Sequence, residues 1–312
     1  MGTFSRLSLL VILITFGCLQ AVHAEDSTRT ELEEILEAGG SNMGSETCAE
    51  CHSDHFEQMQ RDSRHGVEGD PRTPYAQSGC ESCHGPGSNH VMNEDKAAIS
   101  FVKDPAPAHI RNAICLNCHQ GEAQKEWHAS IHESEDLACN SCHSIHKPDQ
   151  VLERTTQTEV CYTCHKDKQA QSFRAFRHPI REAKVICSDC HNSHGSTGEA
   201  SLNQYTINDN CYACHAEKRG PFLFEHSPAV EDCSLCHQVH GSNHPAMLVR
   251  QGPQLCQSCH SNIGGRGSGH FSNLRDFQNS GGEAIFIVGQ NCTNCHSQVH
   301  GSNHPSGAAL QR

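Results

Sequence analysis

The chain has 312 residues, of which 35% are hydrophobic and only 5% aromatic, and its formal net charge is −13. A chain of this length would ordinarily form two domains of about 150 residues, but so few apolar residues cannot fill two ordinary hydrophobic cores and would alone indicate disorder. The acidic balance also argues against nucleic-acid binding, which needs a basic surface.

The first 24 residues have the features of a cleaved signal peptide. A short positively charged start precedes an apolar run from Leu7 to Leu19, and a small-residue cleavage site ends at Ala24. The run is shorter than the roughly 20 apolar residues that a membrane-spanning helix needs. Cleavage would export the chain and remove Cys18. The alternative is lipidation of Cys18, although the preceding Thr15-Phe16-Gly17 departs from the usual Leu-led pattern.

Residues 25–47 form an N-terminal lead segment. Its stretch from Ser27 to Ala38 is predicted to be a helix, because three apolar side chains fall on one face and two glycines follow. Two interpretations are open: the helix is a solvated acidic segment, or it docks on another surface. The apolar side chains are Leu32, Ile35 and Leu36.

Ten copies of Cys-x-x-Cys-His occupy residues 48–312, and we number these motifs 1 to 10 in chain order. Each is a heme c attachment sequence, in which two thiols form thioethers to the heme and the adjoining His is the proximal iron ligand. Zinc, dithiol and disulfide sites are excluded, since His follows every second Cys and the motifs use 20 of the 21 cysteines. The sequence therefore predicts ten covalently attached hemes c. The attachment residues are Cys48, Cys51, Cys80, Cys83, Cys115, Cys118, Cys139, Cys142, Cys161, Cys164, Cys187, Cys190, Cys211, Cys214, Cys233, Cys236, Cys256, Cys259, Cys292 and Cys295. The proximal ligands are His52, His84, His119, His143, His165, His191, His215, His237, His260 and His296.

The predicted fold class is a multiheme cytochrome c, mostly irregular with short α-helices and little or no β-sheet. A motif every 22 to 36 residues leaves room only for short helices and loops. Gly-Pro-Gly at 85–87 and Gly-Ser-Asn-His-Pro at 241–245 and 301–305 indicate loops. The porphyrins supply the apolar surface that the chain lacks, so we expect the apo-protein not to fold.

The remaining histidines cluster around the even-numbered motifs. Each of these has one His upstream and one shortly downstream, so the decaheme domain 48–312 divides into five diheme repeats starting near residues 48, 115, 161, 211 and 256. The proposed distal iron ligands are His65, His90, His132, His146, His178, His194, His226, His240, His270 and His300. The other histidines are interpreted as surface or propionate-bonding residues, with the choice between His300 and His304 left open: His55, His109, His128, His244 and His304.

Two axial histidines leave no open position on the iron, which predicts electron transfer and no substrate site. Spacing suggests which distal His serves which heme. A His three residues after the proximal His of a motif lies on the same side of that porphyrin. It must therefore ligate a neighbouring heme, most simply the odd-numbered heme of its repeat. Each even-numbered heme would then take the upstream His.

The linear run of motifs resembles the periplasmic decaheme cytochromes of outer-membrane porin–cytochrome conduits, the MtrA/PioA/DmsE type. The matching segments are Cys187 to Ser196, Cys211 to Pro221 and Cys292 to Gly307, within a resemblance that extends from Cys48 to Arg312. It implies an elongated rod with ten bis-His hemes in a staggered line. The extra His55, His128 and His244 depart from the family pattern and blur the distal assignment.

The resemblance also implies partners and a place in the cell. The family rod lies in a porin-like outer-membrane β-barrel, and it exchanges electrons with an extracellular multiheme cytochrome or reductase and with a periplasmic or inner-membrane cytochrome. The function expected is electron transfer across the outer membrane, for metal or sulfoxide reduction or for Fe(II) oxidation. The alternatives are a soluble periplasmic shuttle or store and, less favoured, a multiheme reductase. The sequence contains no Cys-x-x-Cys-Lys motif, which is the variant that would support a reductase.

Overall fold

The computed structural model describes residues 27–63, 65, 74–93, 99–121, 124–260 and 291–311. Two compact units divide the chain, unit 1 (Met1–Thr156) and unit 2 (Gln157–Arg312). The predicted signal peptide and the proposed ligand His270 lie outside the described residues. No helix in the described parts of the chain is long and apolar enough to cross a bilayer.

Short helices joined by irregular segments make up both units, so the predicted fold class is confirmed. Besides a helix at 27–39, the α-helices of unit 1 are Ser45–Ala49, Ser53–Arg61, Pro74–Ser78, Glu81–His84, Ser88–Asn93, Ala108–Leu116 and Ile131–Ser134. Those of unit 2 are Gln157–Tyr162, Lys166–Ser172, Ile207–Tyr212, Ser227–Glu231 and Gly252–Gln257. Single 3-10 turns lie at Trp127–Ala129, Cys139–Ser141, Cys187–Asp189, Glu199–Ser201, Ala216–Lys218, Cys233–Leu235, Pro245–Met247, Cys292–Asn294 and Gly307–Ala309.

The helix at residues 27–39 docks on its own unit. Leu32 forms a buried cluster with Ile99 and Ile110, and the other two apolar residues of the helix pack against it. Gly40, with φ 92°, ends the helix, because few residues other than glycine adopt this conformation at low cost. Docking is therefore the correct one of the two interpretations, and the helix Ala108–Leu116 provides part of the surface.

Unit 2 repeats one long-range strand contact. Strand β1 (Phe224–Glu225) pairs antiparallel with β2 (Gly301–Ser302), and Phe176 makes an equivalent bridge to Ser242. Each contact joins the segment that precedes one even-numbered motif to the Gly-Ser loop that follows the next even-numbered motif. The repeated Gly-Ser-Asn-His-Pro sequence thus belongs to two equivalent loops that dock on earlier parts of the chain.

Glycine is required where these loops dock. Gly241 has φ 139°, a backbone conformation that side chains disfavour. A Cβ atom at this position would also collide with the backbone carbonyl of Gln171. Gly301, with φ 138°, has the same conformation in the equivalent loop, where a Cβ would meet the ring of Phe222.

Candidate heme-binding sites

All ten attachment motifs form the same helical turn. In each motif the backbone N–H of the His donates to the carbonyl of the first Cys, at 2.9 to 3.0 Å. Residues at positions i, i+3 and i+4 of a helix share a face. The turn therefore presents both thiols and the imidazole of each motif on one side, as attachment of a single porphyrin requires.

The structural setting of the motifs alternates along the chain. The first Cys of every odd-numbered motif lies in an α-helix, at Ser45–Ala49, Ala108–Leu116, Gln157–Tyr162, Ile207–Tyr212 and Gly252–Gln257. In contrast, four even-numbered motifs begin with a 3-10 turn and motif 2 with the short helix Glu81–His84. This alternation has the same period as the proposed diheme repeats.

Thiols of neighbouring motifs lie close together. A hydrogen bond with Cys139, together with burial, raises the pKa of the Cys115 thiol. Burial followed by the charge of Cys80 raises the pKa of Cys48 to about 11. Five such contacts join the first Cys of an odd motif to the first Cys of the next even motif, which supports the proposed repeats: Cys48–Cys80, Cys115–Cys139, Cys161–Cys187, Cys211–Cys233 and Cys256–Cys292.

A polar side chain on the odd-numbered helix holds the following even motif in three repeats. It lies three residues before the first Cys of the helix and accepts the backbone N–H of the first Cys of the even motif. This role was not predicted from the sequence, although a polar residue three positions before the first Cys of four odd-numbered motifs is a signal that could have revealed it. The bonds are Cys80 N to Ser45 Oγ at 3.1 Å, Cys139 N to Asn112 Oδ1 at 2.8 Å and Cys233 N to Asn208 Oδ1 at 2.7 Å.

Seven proximal histidines each face one proposed distal His, with ring centroids 5.8 to 6.3 Å apart. Two imidazoles that bind one metal ion from opposite faces, each through a bond of about 2 Å, have ring centres about 6 Å apart. Each pair therefore fits a heme iron between its rings. The pairs are His52–His90, His84–His146, His119–His65, His191–His240, His215–His178, His237–His300 and His260–His226.

For three of the five upstream histidines, the ring contacts do not match the heme that spacing assigned to them. His65, His178 and His226 do not face the even motif that they precede. Each faces the proximal His of the odd motif after it. The ring of His178 is held across unit 2, because its Nδ1 and the Val239 carbonyl are 2.9 Å apart.

Three downstream histidines face the proximal His of another motif, but not of the motif that spacing assigned to them. His146, His240 and His300 each face the proximal His of the even motif two positions earlier, not that of the odd motif of their own repeat. Among the downstream histidines of these seven pairs, only His90 faces the proximal His of the odd motif in its own repeat. The physical reason in unit 2 is the strand contact between each Gly-Ser loop and an earlier segment, which spacing cannot reveal.

Burial keeps several of these imidazoles in the form that binds metal. It lowers the pKa of His84, His146 and His300, and it lowers the pKa of His240 to about 4. A His ligand must be neutral to coordinate iron. These four rings therefore offer a lone pair at neutral pH.

Three families of heme proteins match parts of the chain. Residues 178–220 and 226–265 match the doubled CXXCH motif, residues 80–155 match the NrfB-like cytochrome c-type proteins, and residues 19–85 match cytochrome c554 and c-prime. Both doubled-motif matches begin at an upstream His, and each includes the odd motif that this His faces. This grouping pairs an even motif with the odd motif after it, out of phase with the proposed repeats.

Curated relatives cover much of the chain. It is 42% identical over 283 residues to multiheme cytochrome MtrA of Shewanella baltica, covering 90% of this chain and 85% of that protein. The chain belongs to the MtrA family of multiheme cytochromes. As an MtrA-family cytochrome it binds heme c covalently and transfers electrons through several hemes.

More distant relatives are also multiheme or c-type cytochromes. Cytochrome c-type protein NrfB of Escherichia coli is 26% identical over 39% of this chain and 65% of that protein. C-type polyheme cytochrome OmcB of Geobacter sulfurreducens is 23% identical over 74% of this chain and 27% of that protein.

In this MtrA-family cytochrome, backbone carbonyls fix most of the even-motif proximal rings. A carbonyl that accepts from Nδ1 directs Nε2 toward the metal and sets the tautomer. The acceptors in motifs 6 and 8, Ala200 and Ala246, have left-handed φ values of 51° and 54°. The Nδ1–carbonyl pairs are His84–Ile99 at 3.0 Å, His191–Ala200 at 3.0 Å, His237–Ala246 at 2.8 Å and His296–Ala309 at 2.6 Å.

The other histidines of this MtrA-family cytochrome have polar surroundings of several kinds. His109 lies 2.9 Å from Glu31, and His128 lies 3.5 Å from Glu133. His55 approaches His146, with 3.3 Å between the two Nδ1 atoms, and is therefore the extra His closest to a proposed ligand pair. All ten proposed distal roles stay predictions, and His132, His194 and His270 are not among the seven ring pairs.

Proposed function

We propose that this cytochrome carries electrons across the outer membrane through ten bis-His hemes enclosed by a porin-like β-barrel. The resemblance of its motifs to the conduit cytochromes supports the membrane role. The uniform ring spacing of the seven histidine pairs supports the bis-His ligation. We further propose that the protein lies in the periplasm at the outer membrane and exchanges electrons with an extracellular multiheme cytochrome or reductase and with a periplasmic or inner-membrane cytochrome.

The residues of the chain would act by holding and insulating the cofactors. Each bound heme takes up and releases one electron at its iron. The two cysteines of a motif would fix the position of the porphyrin through thioethers, and the two histidines would occupy both axial positions and leave none for a substrate. A distal His contributed by a distant motif would tie two hemes to one another and hold their separation constant.

Heme counting and spin state test the ligation. We expect ten covalent low-spin hemes per chain, measured by intact mass, a pyridine hemochrome assay and electron paramagnetic resonance. Several high-spin irons would contradict closed coordination and favour a reductase.

The cross-ligation is tested by His240→Met. Because His240 faces His191, this change should alter the spectrum of heme 6 and leave heme 8 of its own loop unchanged. Removal of heme 6 by Cys187→Ala with Cys190→Ala should abolish the spectral effect of His240→Met, whereas removal of heme 8 by Cys233→Ala with Cys236→Ala should not. The reverse pattern would refute the proposed pairing.

Co-purification tests the conduit. Detergent extraction of outer membranes should recover the cytochrome together with a β-barrel protein. In a strain that retains its barrel gene, recovery only in the osmotic-shock fluid would contradict the conduit and favour a periplasmic shuttle.

A further inference from the structure

One of the five even-numbered motifs holds its proximal imidazole with a charged group. In motifs 2, 6, 8 and 10 the acceptor for Nδ1 is a backbone carbonyl, as described above. In motif 4 it is the carboxylate of Asp149, whose Oδ2 lies 2.6 Å from His143 Nδ1. The five proximal histidines occupy equivalent positions in their motifs. The effect of a carbonyl dipole on the imidazole can therefore be compared with that of a carboxylate charge within one protein.

The carboxylate of Asp149 is fixed in place. Its second oxygen, Oδ1, accepts the backbone N–H of Ser144 at 3.2 Å and of Val151 at 3.3 Å. The side chain is only 13% exposed and that of His143 only 27%. Solvent and salt screen a partly buried charge much less than an exposed one, so the negative charge of Asp149 acts on the imidazole with less screening than an exposed carboxylate would.

The local sequence explains why motif 4 differs. Motifs 6, 8 and 10 are followed by a Gly-Ser loop that turns back to offer an alanine carbonyl. Motif 4 has Lys147-Pro148-Asp149 in place of this loop. The chain therefore brings a side-chain oxygen to the position that a carbonyl oxygen occupies elsewhere.

A carboxylate that accepts from the outer nitrogen of a metal-bound His makes that ligand more basic. A more basic axial ligand donates more electron density and stabilises the oxidised iron, and axial ligation with its outer hydrogen bonds is a principal control of heme potential. We propose that Asp149 is a positioning residue that sets the reduction potential of heme 4 below the potentials of the other even-numbered hemes. This inference rests on the proposed ligation of iron by His143.

The direct test replaces the charge and keeps a hydrogen-bond acceptor. Asp149→Asn should retain ten low-spin hemes and raise the midpoint potential of one of them, in a redox titration followed by visible absorbance. A tenfold change in the reduction equilibrium is expected, which is 59 mV for a one-electron couple. Asp149→Glu keeps the negative charge, so the midpoint potential in this variant should stay close to that of the unsubstituted protein. Glu153→Gln removes one exposed charge from the same loop and should leave all ten potentials unchanged.

Two outcomes would overturn the proposal: identical titrations for Asp149→Asn and Glu153→Gln, or a downward shift in Asp149→Asn. A second measurement does not depend on how Asp149→Asn folds. Removal of heme 4 by Cys139→Ala with Cys142→Ala should delete the lowest-potential component among the even-numbered hemes, and loss of a higher component would refute the inference. His143→Ala distinguishes failure of this inference from failure of the proposed ligation. If the number of low-spin hemes is unchanged in this variant, His143 does not ligate an iron.

Discussion

Unit 1 and unit 2 attach their hemes through the same helical turn but surround them differently. In unit 2 the proximal rings of motifs 6, 8 and 10 all donate to an alanine carbonyl. In unit 1 the corresponding acceptors are the carbonyl of Ile99 and the carboxylate of Asp149. The attachment motif thus fixes the covalent geometry of a heme, whereas the loop that follows the motif decides its electrostatic surroundings.

The units also differ in their apolar packing. Unit 1 contains the cluster of Leu32, Ile99 and Ile110. Among the described residues of unit 2, the buried hydrophobic side chains are those of Tyr162 and Ile186. We therefore expect the described part of unit 2 to depend more heavily on its porphyrins for stability, and several substitutions test this difference.

Loss of one heme should have the largest effect, and it should be larger in unit 2. Cys233→Ala with Cys236→Ala should leave nine hemes and destabilise unit 2 by about 5 kcal/mol, the upper end of what removal of a large core side chain costs. The matched change in unit 1, Cys80→Ala with Cys83→Ala, should cost less because the apolar cluster remains. Thermal unfolding and limited proteolysis measure both, and equal losses would contradict the contrast between the units.

Truncation of the apolar cluster comes next in size. Ile110 is fully buried, so Ile110→Ala should destabilise unit 1 by about 2–5 kcal/mol. Proteolytic cleavage should increase in unit 1 while unit 2 keeps its protection. The control is Val102→Ala at a side chain that is 87% exposed, where the expected change is within about 0.5 kcal/mol. Equal effects of the two substitutions would show that the cluster contributes little.

The docked loop of unit 2 depends on its glycine. Gly241→Ala should cost roughly 3 kcal/mol, because it combines a disfavoured backbone conformation with a collision at the carbonyl of Gln171. Gly44→Ala in unit 1 has a positive φ of 84° but no atom closer than 3.6 Å to the new Cβ, so it should cost only about 1 kcal/mol. Melting temperatures of the two variants give the comparison. A smaller effect at Gly241 would argue against tight docking of this loop.

A hydrogen bond between an asparagine side chain and the first Cys of an even motif occurs in both units, and its loss should give the smallest effects. Asn112→Ala and Asn208→Ala each leave the backbone N–H of an even-motif Cys without its acceptor, at a cost of about 1–3 kcal/mol. The loss at Asn208 should be the larger of the two, because its amide donates to two backbone carbonyls, whereas the amide of Asn112 donates to one. Asn93→Ala, at an exposed side chain, is the control in chemical denaturation. A loss in the control as large as that at the buried amides would show that this hydrogen bond contributes little.

The sequence alone predicts the features that depend on local spacing. The attachment motifs, the cofactor and the apolar face of Leu32, Ile35 and Leu36 are visible because the relevant residues lie within a few positions of one another. The pairing of His178 with His215 and of His240 with His191 is not visible, because it depends on a bridge between Phe176 and Ser242. Likewise, only a folded loop shows that Asp149, six residues after His143, takes the place of a carbonyl.

The paired thiols have a consequence for biosynthesis. In the folded chain the thiol of Cys115 meets that of Cys139, although the two belong to different hemes. Two free thiols this close can form a disulfide, which would compete with heme attachment. We therefore expect both cofactors to be attached before these two motifs pack together.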